Sequence, residues 1–337
     1  MEGRSREVRL RSRPRGRVRE SDFELVEVEV PAPQDGEILV RNAYLSLDPY
    51  MRPRMSEGRS YLPPYELGET LTGGAVGCVV ESRSPRFAPG DWVLHDRGFR
   101  EWALCEETGV RAIDPAAAPV STALGVLGMP GLTASHGLFE IGRPKEGEVV
   151  YVSAAAGAVG SAAGQMAKIA GCRVIGSAGS SEKVAWLREL GFDAAFDYRE
   201  RPPGEALRAL APEGIDIYFD NVGGEHLEAA IGAMRAYGRI VACGAIALYE
   251  ETKPPPGPRN LFLVVTKRLT MQGFIVSDHF SEFPAFLERA REWLREGRLR
   301  ARETIVEGIE NLPAAFVGLF AGESIGKLLV RVGPAPA

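Results

Sequence analysis

A repeat of strand-like and helix-like stretches in the second half of the chain constrains its fold most. The apolar runs EVVYVSA, CRVIGSA, DAAFDY, IDIYFDNVG, GRIVACGA and LTMQGFIV are separated mostly by stretches of Ala, Leu, Glu and Arg. Their starts lie roughly 20 to 30 residues apart, the spacing of strand–helix units in a parallel sheet. Six such units predict a doubly wound α/β domain that begins near residue 123. Up to about residue 115, FELVEVEVP, GEILVRNAYLS, GGAVGCVVES and DWVLHDRG are short apolar runs broken by turns, and predict a mostly-β domain. After the sixth run, FPAFLERAREWLREG reads as an amphipathic helix and IGKLLVRV as a strand outside the six-unit count. That last strand is expected to return to the N-terminal domain, giving residues 1–122 with 300–337 for the first domain and 123–299 for the second. A length of 337 residues suits two domains at roughly 150 residues each.

The first of the six units contains VSAAAGAVGS, Val152 to Ser161, a glycine-poor relative of the turn G-x-G-x-x-G with Ala155 in place of the first glycine. A strand precedes it, and Val159, Ala162, Met166 and Ile169 follow at three- and four-residue steps as the inner face of a helix. This succession lets a pyrophosphate approach bare amides at the positive end of a helix. Gly157 permits the close backbone approach, Gly160 permits close helix–strand packing, and Ala155 replaces a glycine provided its φ stays negative. Alone, the run reads equally well as small-residue packing; the units that follow favour a dinucleotide site. The second strand ends in Ser177-Ala178-Gly179-Ser180, with no acid to hold a ribose 2′-hydroxyl or repel a 2′-phosphate. Lys183 falls in the first turn of the next helix, where a cation opposes the helix dipole unless a ligand phosphate offsets it. Both signs predict NADP over NAD; the competing reading makes Lys183 a solvated neighbour of Glu182.

Several function classes are excluded. The first 20 residues hold eight arginines and three glutamates, yet their strand-and-turn spacing reads as a solvated edge strand, and nothing else suggests nucleic-acid binding. Cys78, Cys105, Cys172 and Cys243 form no C-x-x-C pair, which argues against a disulfide framework or thiolate zinc knuckle and fits a reducing, cytoplasmic location. The longest uncharged run, Pro115 to Phe139, carries Pro119 and Pro130 and several glycines and is not expected to span a membrane. No basic segment leading into an apolar one opens the sequence, so no secretory signal is expected. His95, His136, His226 and His279 are isolated from one another and from the cysteines, and each is expected to be a surface or core histidine, so no metal site is predicted. No G-x-S-x-G elbow between a strand and a following helix and no Walker loop is present, which leaves hydride transfer from a nicotinamide.

Several blocks resemble one family. LSLDPYMR (Leu45 to Arg52), LGVLGMPGLTA (Leu124 to Ala134), AAAGAVGS, FDNVGG (Phe219 to Gly224), CGAIALY (Cys243 to Tyr249) and GFIV (Gly273 to Val276) are similar to segments of the zinc-independent medium-chain dehydrogenase/reductases, in the prostaglandin reductase, alkenal/one oxidoreductase and curcumin reductase branch. The likeness covers essentially the whole chain in order. It implies a GroES-like N-terminal domain, a Rossmann domain, a homodimer, and NADPH-dependent reduction of the C=C bond of α,β-unsaturated ketones and aldehydes. It implies that Ala156, Gly157, Val159 and Gly160 face the pyrophosphate, that Lys183 and Tyr198 bind the 2′-phosphate and that Asn221 contacts the cofactor. Cys243, Gly244, Ala245, Ile246 and Tyr249 would lie beside the cofactor, with Phe274, Ile275 and Val276 flanking the nicotinamide. Tyr249 is the implied donor to the enolate oxygen, a task a ribose hydroxyl also suits; the alternative rests it on the proline-rich loop at 254–258. Tyr50 and Tyr61 are expected to line the interdomain cleft, with packing an equal alternative for Tyr50. In GESIGK, Ser324 occupies the family's asparagine position and is a weaker cofactor contact. Quinone reduction and NADPH binding without catalysis are the competing functions.

Overall fold

The computed structural model describes residues 3–58, 60–253 and 255–335. The chain forms two compact units, Met1–Leu124 with Glu303–Ala337, and Gly125–Arg302.

The first unit opens with β1 (Arg4–Leu10), β2 (Phe23–Glu29), β3 (Glu37–Ser46), α1 (Met51–Arg54), β4 (Ala75–Ser82), β5 (Trp92–His95), β6 (Trp102–Glu106) and β7 (Arg111–Ile113). The second unit contains α2 (Met129–His136), β8 (Val149–Val152), α3 (Ala158–Ile169), β9 (Arg173–Ala178), α4 (Ser181–Glu189) and β10 (Ala194–Asp197). It continues with α5 (Pro203–Leu210), β11 (Ile215–Asp220), α6 (Gly224–Ala233), β12 (Met234–Ala242), α7 (Phe262–Thr266), β13 (Thr270–Gly273) and α8 (Phe283–Arg295). The chain then re-enters the first unit through β14 (Glu303–Glu307), α9 (Leu312–Ala321) and β15 (Lys327–Arg331).

In the first unit a seven-stranded sheet runs in the order β14-β15-β3-β4-β5-β7, with β6 also paired to β3. The two ends of the chain meet where Val330 of β15 faces Leu45 of β3. That junction holds a buried ion pair: Lys327 Nζ donates to Asp48 Oδ1 at 3.0 Å and to the carbonyls of Leu47 at 2.7 Å and Leu328 at 3.1 Å. All three ammonium protons are thereby satisfied, which is the condition under which a buried charge is tolerated. The arginine-rich N-terminus differs from the expected solvated edge strand. Strand β1 pairs with β2 as a hairpin, and Val8 and Leu10 lie in the core because alternate side chains of the strand face inward. Its arginines are largely tied to this unit: Arg6 donates to Glu101 and Glu310, and Arg13 to the carbonyl of Tyr65.

The second unit is an all-parallel, six-stranded sheet in the order β10-β9-β8-β11-β12-β13. The strand order reverses between β8 and β11, and in open α/β sheets ligands bind beyond the carboxyl ends of the strands at such a point. The two central strands, β8 and β11, are buried along nearly their whole length, as a sheet covered on both faces requires. Helix α3 buries a wider face than the expected Val159, Ala162, Met166 and Ile169. Ala162 to Ala167 are all buried, whereas Val159 and Ile169 are half-buried. The cause is local: Gly164 lets the ring of Phe192 lie against the helix backbone, and Gln165 Nε2 and Oε1 bond the carbonyl and amide of Arg300. The sixth strand ends at Gly273, so Phe274 to Val276 fall beyond it.

Candidate nucleotide and substrate site

The site is assembled at the carboxyl ends of β8, β9, β11 and β12. The first turn after β8 is tight. The left-handed residue is Ala154, with φ of 46°, and not Ala155, whose φ is negative as the substitution requires. Ala155 is fully buried, and its methyl group would meet a Cβ placed on Gly176 of β9, so the alanine in the turn is matched by a glycine on the neighbouring strand. Its amide donates to the Ser177 carbonyl at 2.9 Å, which fastens the turn to β9.

Helix α3 starts at Ala158 behind Gly157, which lacks a side chain to cap the first-turn amides. Those amides, including Val159 and Gly160, are therefore available to an anion. The two glycines differ in what they require. At Gly160 a Cβ would collide with the Ala154 carbonyl and come within 2.8 Å of Ala155 Cα, so only glycine lets α3 cross the turn this closely. At Gly157 a Cβ would meet only Ala154 O at 3.3 Å. Half-buried Gly157 thus leaves room on the outer side, where Ala156 supplies a buried wall.

A buried polar network fixes the ends of β8 and β11. The Tyr218 hydroxyl donates to Asp220 Oδ1 at 2.7 Å and lies 3.0 Å from Ser153 Oγ. Asp220 Oδ1 also accepts from the amides of Val222 and Gly223 at 2.9 and 2.8 Å. Burial raises the Asp220 carboxyl above its usual range, and the donors from Gly223, Tyr218 and Val222 oppose that shift. Asn221 is held across the switch point, its Nδ2 donating to the Ser153 carbonyl at 2.8 Å and its amide to Ser153 Oγ at 3.0 Å.

The segment after β12 is laid onto this corner. The amides of Cys243 and Gly244 donate to the Asp220 carbonyl, and those of Ile246 and Ala247 to the carbonyls of Asn221 and Val222. Tyr249 closes the loop on itself, its hydroxyl accepting from the Ala245 amide at 3.3 Å. The phenol keeps its proton for another acceptor. Burial raises its pKa, so it is protonated at neutral pH. Of the proline-rich loop, Pro254 lies outside the described residues. Burial and the Asp220 charge push the Cys243 thiol up to about 12, which makes it an inert wall. Past β13, half-buried Phe274 packs on His136 with ring centroids 5.2 Å apart, followed by half-buried Ile275 and Val276.

A cationic corner lies at the end of β9. Lys183 is in the first turn of α4, where its amide donates to the Ser180 side chain. Burial lowers its pKa, the charge of Arg199 lowers it further, and Glu182 acts in the opposite sense. Glu182 itself is paired with Arg302 at 2.9 Å. Tyr198 covers Gly179, where a Cβ would lie 3.0 Å from the phenol oxygen. A partly buried Lys183 beside an exposed Arg199, with a hydroxyl next to them and no acid at the end of β9, fits a phosphate dianion, whose charge would oppose both effects that lower the Lys183 pKa. Arg199 was missed from sequence, although its place directly after Tyr198 at the end of the third strand was a usable signal.

The remaining predicted residues lie in the first unit. Tyr50 is half-buried beside α1, and burial raises its pKa well above the usual value; Tyr61 is exposed. Ser324 is half-buried between α9 and β15. Of the histidines, His95 is a core residue held neutral by burial at about 3: its Nδ1 accepts from the Arg97 amide and its Nε2 donates to Asn42. Burial likewise holds His226 at about 4, against the edge of Tyr198. No described helix is long and apolar enough to cross a membrane.

A doubly wound sheet with glycine-bared amides at its switch point and a cationic corner at the end of the neighbouring β9 defines a dinucleotide-binding protein. A family model described as the N-terminal domain of oxidoreductase matches residues 6–113, and one described as zinc-binding dehydrogenase matches residues 158–292. The chain is 43% identical to a 2-alkenal reductase (NADP(+)-dependent) of Nicotiana tabacum over 97% of each chain. It is 42% identical to the NADPH-dependent curcumin reductase of Escherichia coli (strain K12), over 98% of this chain and 97% of that one. Among solved structures, CurA from Vibrio vulnificus in complex with NADPH superposes with a TM-score of 0.93 at 41% identity, covering 98% of this chain and 99% of that one. The chain belongs to the medium-chain dehydrogenase/reductase family, in the branch of the prostaglandin, alkenal and curcumin reductases.

The turn geometry separates the two glycines experimentally. Gly160→Ala is expected to cost about 1–3 kcal/mol through overpacking, and Gly157→Ala well under 1 kcal/mol. Urea denaturation of both variants checks this, and equal losses would contradict it.

Proposed function

We propose that this protein is an NADPH-dependent reductase that saturates the C=C bond of α,β-unsaturated ketones and aldehydes without a catalytic metal. The observation that carries the reading is the cationic corner of Lys183 and Arg199 at the end of β9, next to a turn whose α3 amides are bare. In this reading Ala156, Gly157, Val159 and Gly160 hold the pyrophosphate, and Lys183, Tyr198 and Arg199 hold the 2′-phosphate. Asn221 and the loop Cys243 to Tyr249 line the cofactor, and Phe274, Ile275 and Val276 flank the nicotinamide. The substrate class comes from likeness: two relatives carry 2-alkenal and curcumin in their names, and 2-alkenals are α,β-unsaturated aldehydes.

NADPH, when bound, supplies a hydride to the β-carbon. Charge then develops on the carbonyl oxygen of the substrate. The Tyr249 hydroxyl donates to that oxygen, because the Ala245 amide already occupies one of its lone pairs and leaves its proton free to be offered. A solvent-derived proton at the α-carbon completes the saturated product. No metal is needed, since a neutral phenol beside backbone donors serves the developing charge. Tyr50 and Tyr61 are the first unit's aromatic candidates for contact with the substrate, and Ser324 its candidate for a weaker cofactor contact.

We also infer a homodimer formed through β13. All four residues of this edge strand are exposed, and Leu261, Phe262, Val265 and Met271 present apolar side chains nearby. An unpaired edge beside apolar surface favours pairing with a second copy across a two-fold. The four cysteines are free thiols, which supports a cytoplasmic location.

Turnover is tested by following NADPH oxidation with methyl vinyl ketone, a 2-alkenal and a simple quinone. The enone and enal are expected to turn over fastest, and Tyr249→Phe to lower kcat by roughly 10²-fold with NADPH affinity unchanged. Turnover of the quinone alone, or full kcat in Tyr249→Phe, would contradict the reading. For assembly, light scattering after size exclusion is expected to give a dimer mass that Met271→Lys lowers to the monomer; a monomeric parent protein overturns the dimer.

A further inference from the structure

We infer that His136, His279 and Glu282 form a binding site for one divalent ion of the zinc(II) class. His136 ends α2 and is buried, and His279 and Glu282 lie three residues apart in the turn Val276–Glu282. The fold brings together donors 146 residues apart in sequence.

The convergence is specific. His136 Nδ1 stands 3.1 and 3.0 Å from the two oxygens of Glu282, and His279 Nδ1 stands 3.3 Å from Oε1 of the same carboxylate. The two imidazoles are stacked, with centroids 3.6 Å apart and planes 24° from parallel, and both Nδ1 atoms approach the Glu282 carboxylate. The donor atoms all lie within 4.8 Å of one another, the one such group of three or more found among the described residues.

Zinc takes nitrogen and carboxylate donors at about 2.0–2.2 Å in tetrahedral geometry, which puts neighbouring donors about 3.4 Å apart. The nitrogen-to-oxygen separations here are already close to that edge. An ion entering between the three groups replaces hydrogen bonds with metal bonds once the half-buried His279 ring turns out of the stack so that the two Nδ1 lone pairs converge. Two imidazoles and a carboxylate also match the donor set zinc accepts when it keeps a fourth position for water. The side chains of His279 and Glu282 are 33% and 40% exposed, which provides the entry path and the place for that water.

The buried anchor and the exposed pair divide the work. His136 is fixed by α2 and by the ring of Phe274, whereas His279 and Glu282 ride on the turn that follows Phe274 to Val276. Occupancy therefore clips this turn to α2. The ion holds the segment after β13, which includes Phe274 packed on His136.

The experiment uses the full chain stripped with EDTA and titrated with zinc chloride under isothermal calorimetry. One equivalent is expected to bind and to raise Tm by on the order of 5 °C at saturation well above Kd. His279→Ala and Glu282→Gln, both on partly exposed side chains, are each expected to weaken binding at least tenfold while retaining the EDTA-treated Tm of the parent. Cobalt(II) in place of zinc should give visible d–d bands without a thiolate charge-transfer band, because no cysteine belongs to the site. Absence of binding, unchanged affinity in both variants, or a thiolate band overturns the assignment.

Discussion

The approach of α3 to the carbonyl of Ala154 is the constraint on which the nucleotide end of the parallel sheet depends. Helix α3 can leave the β8 turn at this angle only because Gly160 has no Cβ to strike Ala154 O and Ala155 Cα. Ala154 takes the left-handed conformation that an L-residue adopts at a cost of roughly 1–2 kcal/mol. That strain lets Ala155 stay at negative φ, with its methyl group buried in the space Gly176 leaves on β9. One crowded contact thereby fixes the turn, the start of the helix and the spacing of two strands. The amides behind Gly157 are aimed by this packing and not by any polar residue of their own.

The second determinant is buried polarity at the strand ends. Tyr218, Ser153 and Asp220 are all buried, and each is satisfied by the others or by backbone amides. Such a network is favourable only when complete, because an orphaned member in this environment carries the full desolvation penalty. Its completeness holds Asn221 across the switch point and gives the loop from Cys243 to Tyr249 a rigid base. The Tyr249 hydroxyl inherits its position from that base through the Ala245 amide. At the other end of the site the balance is reversed: the exposed Arg199 repels the partly buried Lys183, an arrangement more favourable with an anion than without one.

Much of this was legible in the chain. Six apolar runs at regular intervals identify the doubly wound sheet, because strand and helix periods are local properties. What the sequence hid was mostly non-local. Strands β6 and β7 are short and weakly patterned and emerge only through pairing with β3 and β5. Phe192 and Arg300 widen the buried face of α3 from positions far along the chain. Arg199 joins Lys183 because β10 lies beside β9, a pairing that its place after Tyr198 at the end of the third strand only hints at. The stacked pair of His136 and His279, isolated in the sequence, meets only through the packing of α2 against the turn after β13. The glycine-poor turn, by contrast, was readable in kind, although the strain falls on Ala154, one residue earlier than the glycine pattern suggests.

The central claim is that the corner at the end of β9 selects a 2′-phosphate. Calorimetric Kd values for NADPH and NADH, measured on the parent protein and on Lys183→Ala and Arg199→Ala, test it most directly. Each charge-assisted contact is worth about 1.5–3 kcal/mol, so NADPH should bind at least roughly tenfold tighter than NADH, and each substitution should weaken NADPH by about 10-fold or more with little change for NADH. Equal affinities in the parent protein, or substitutions that weaken both dinucleotides alike, would contradict the account.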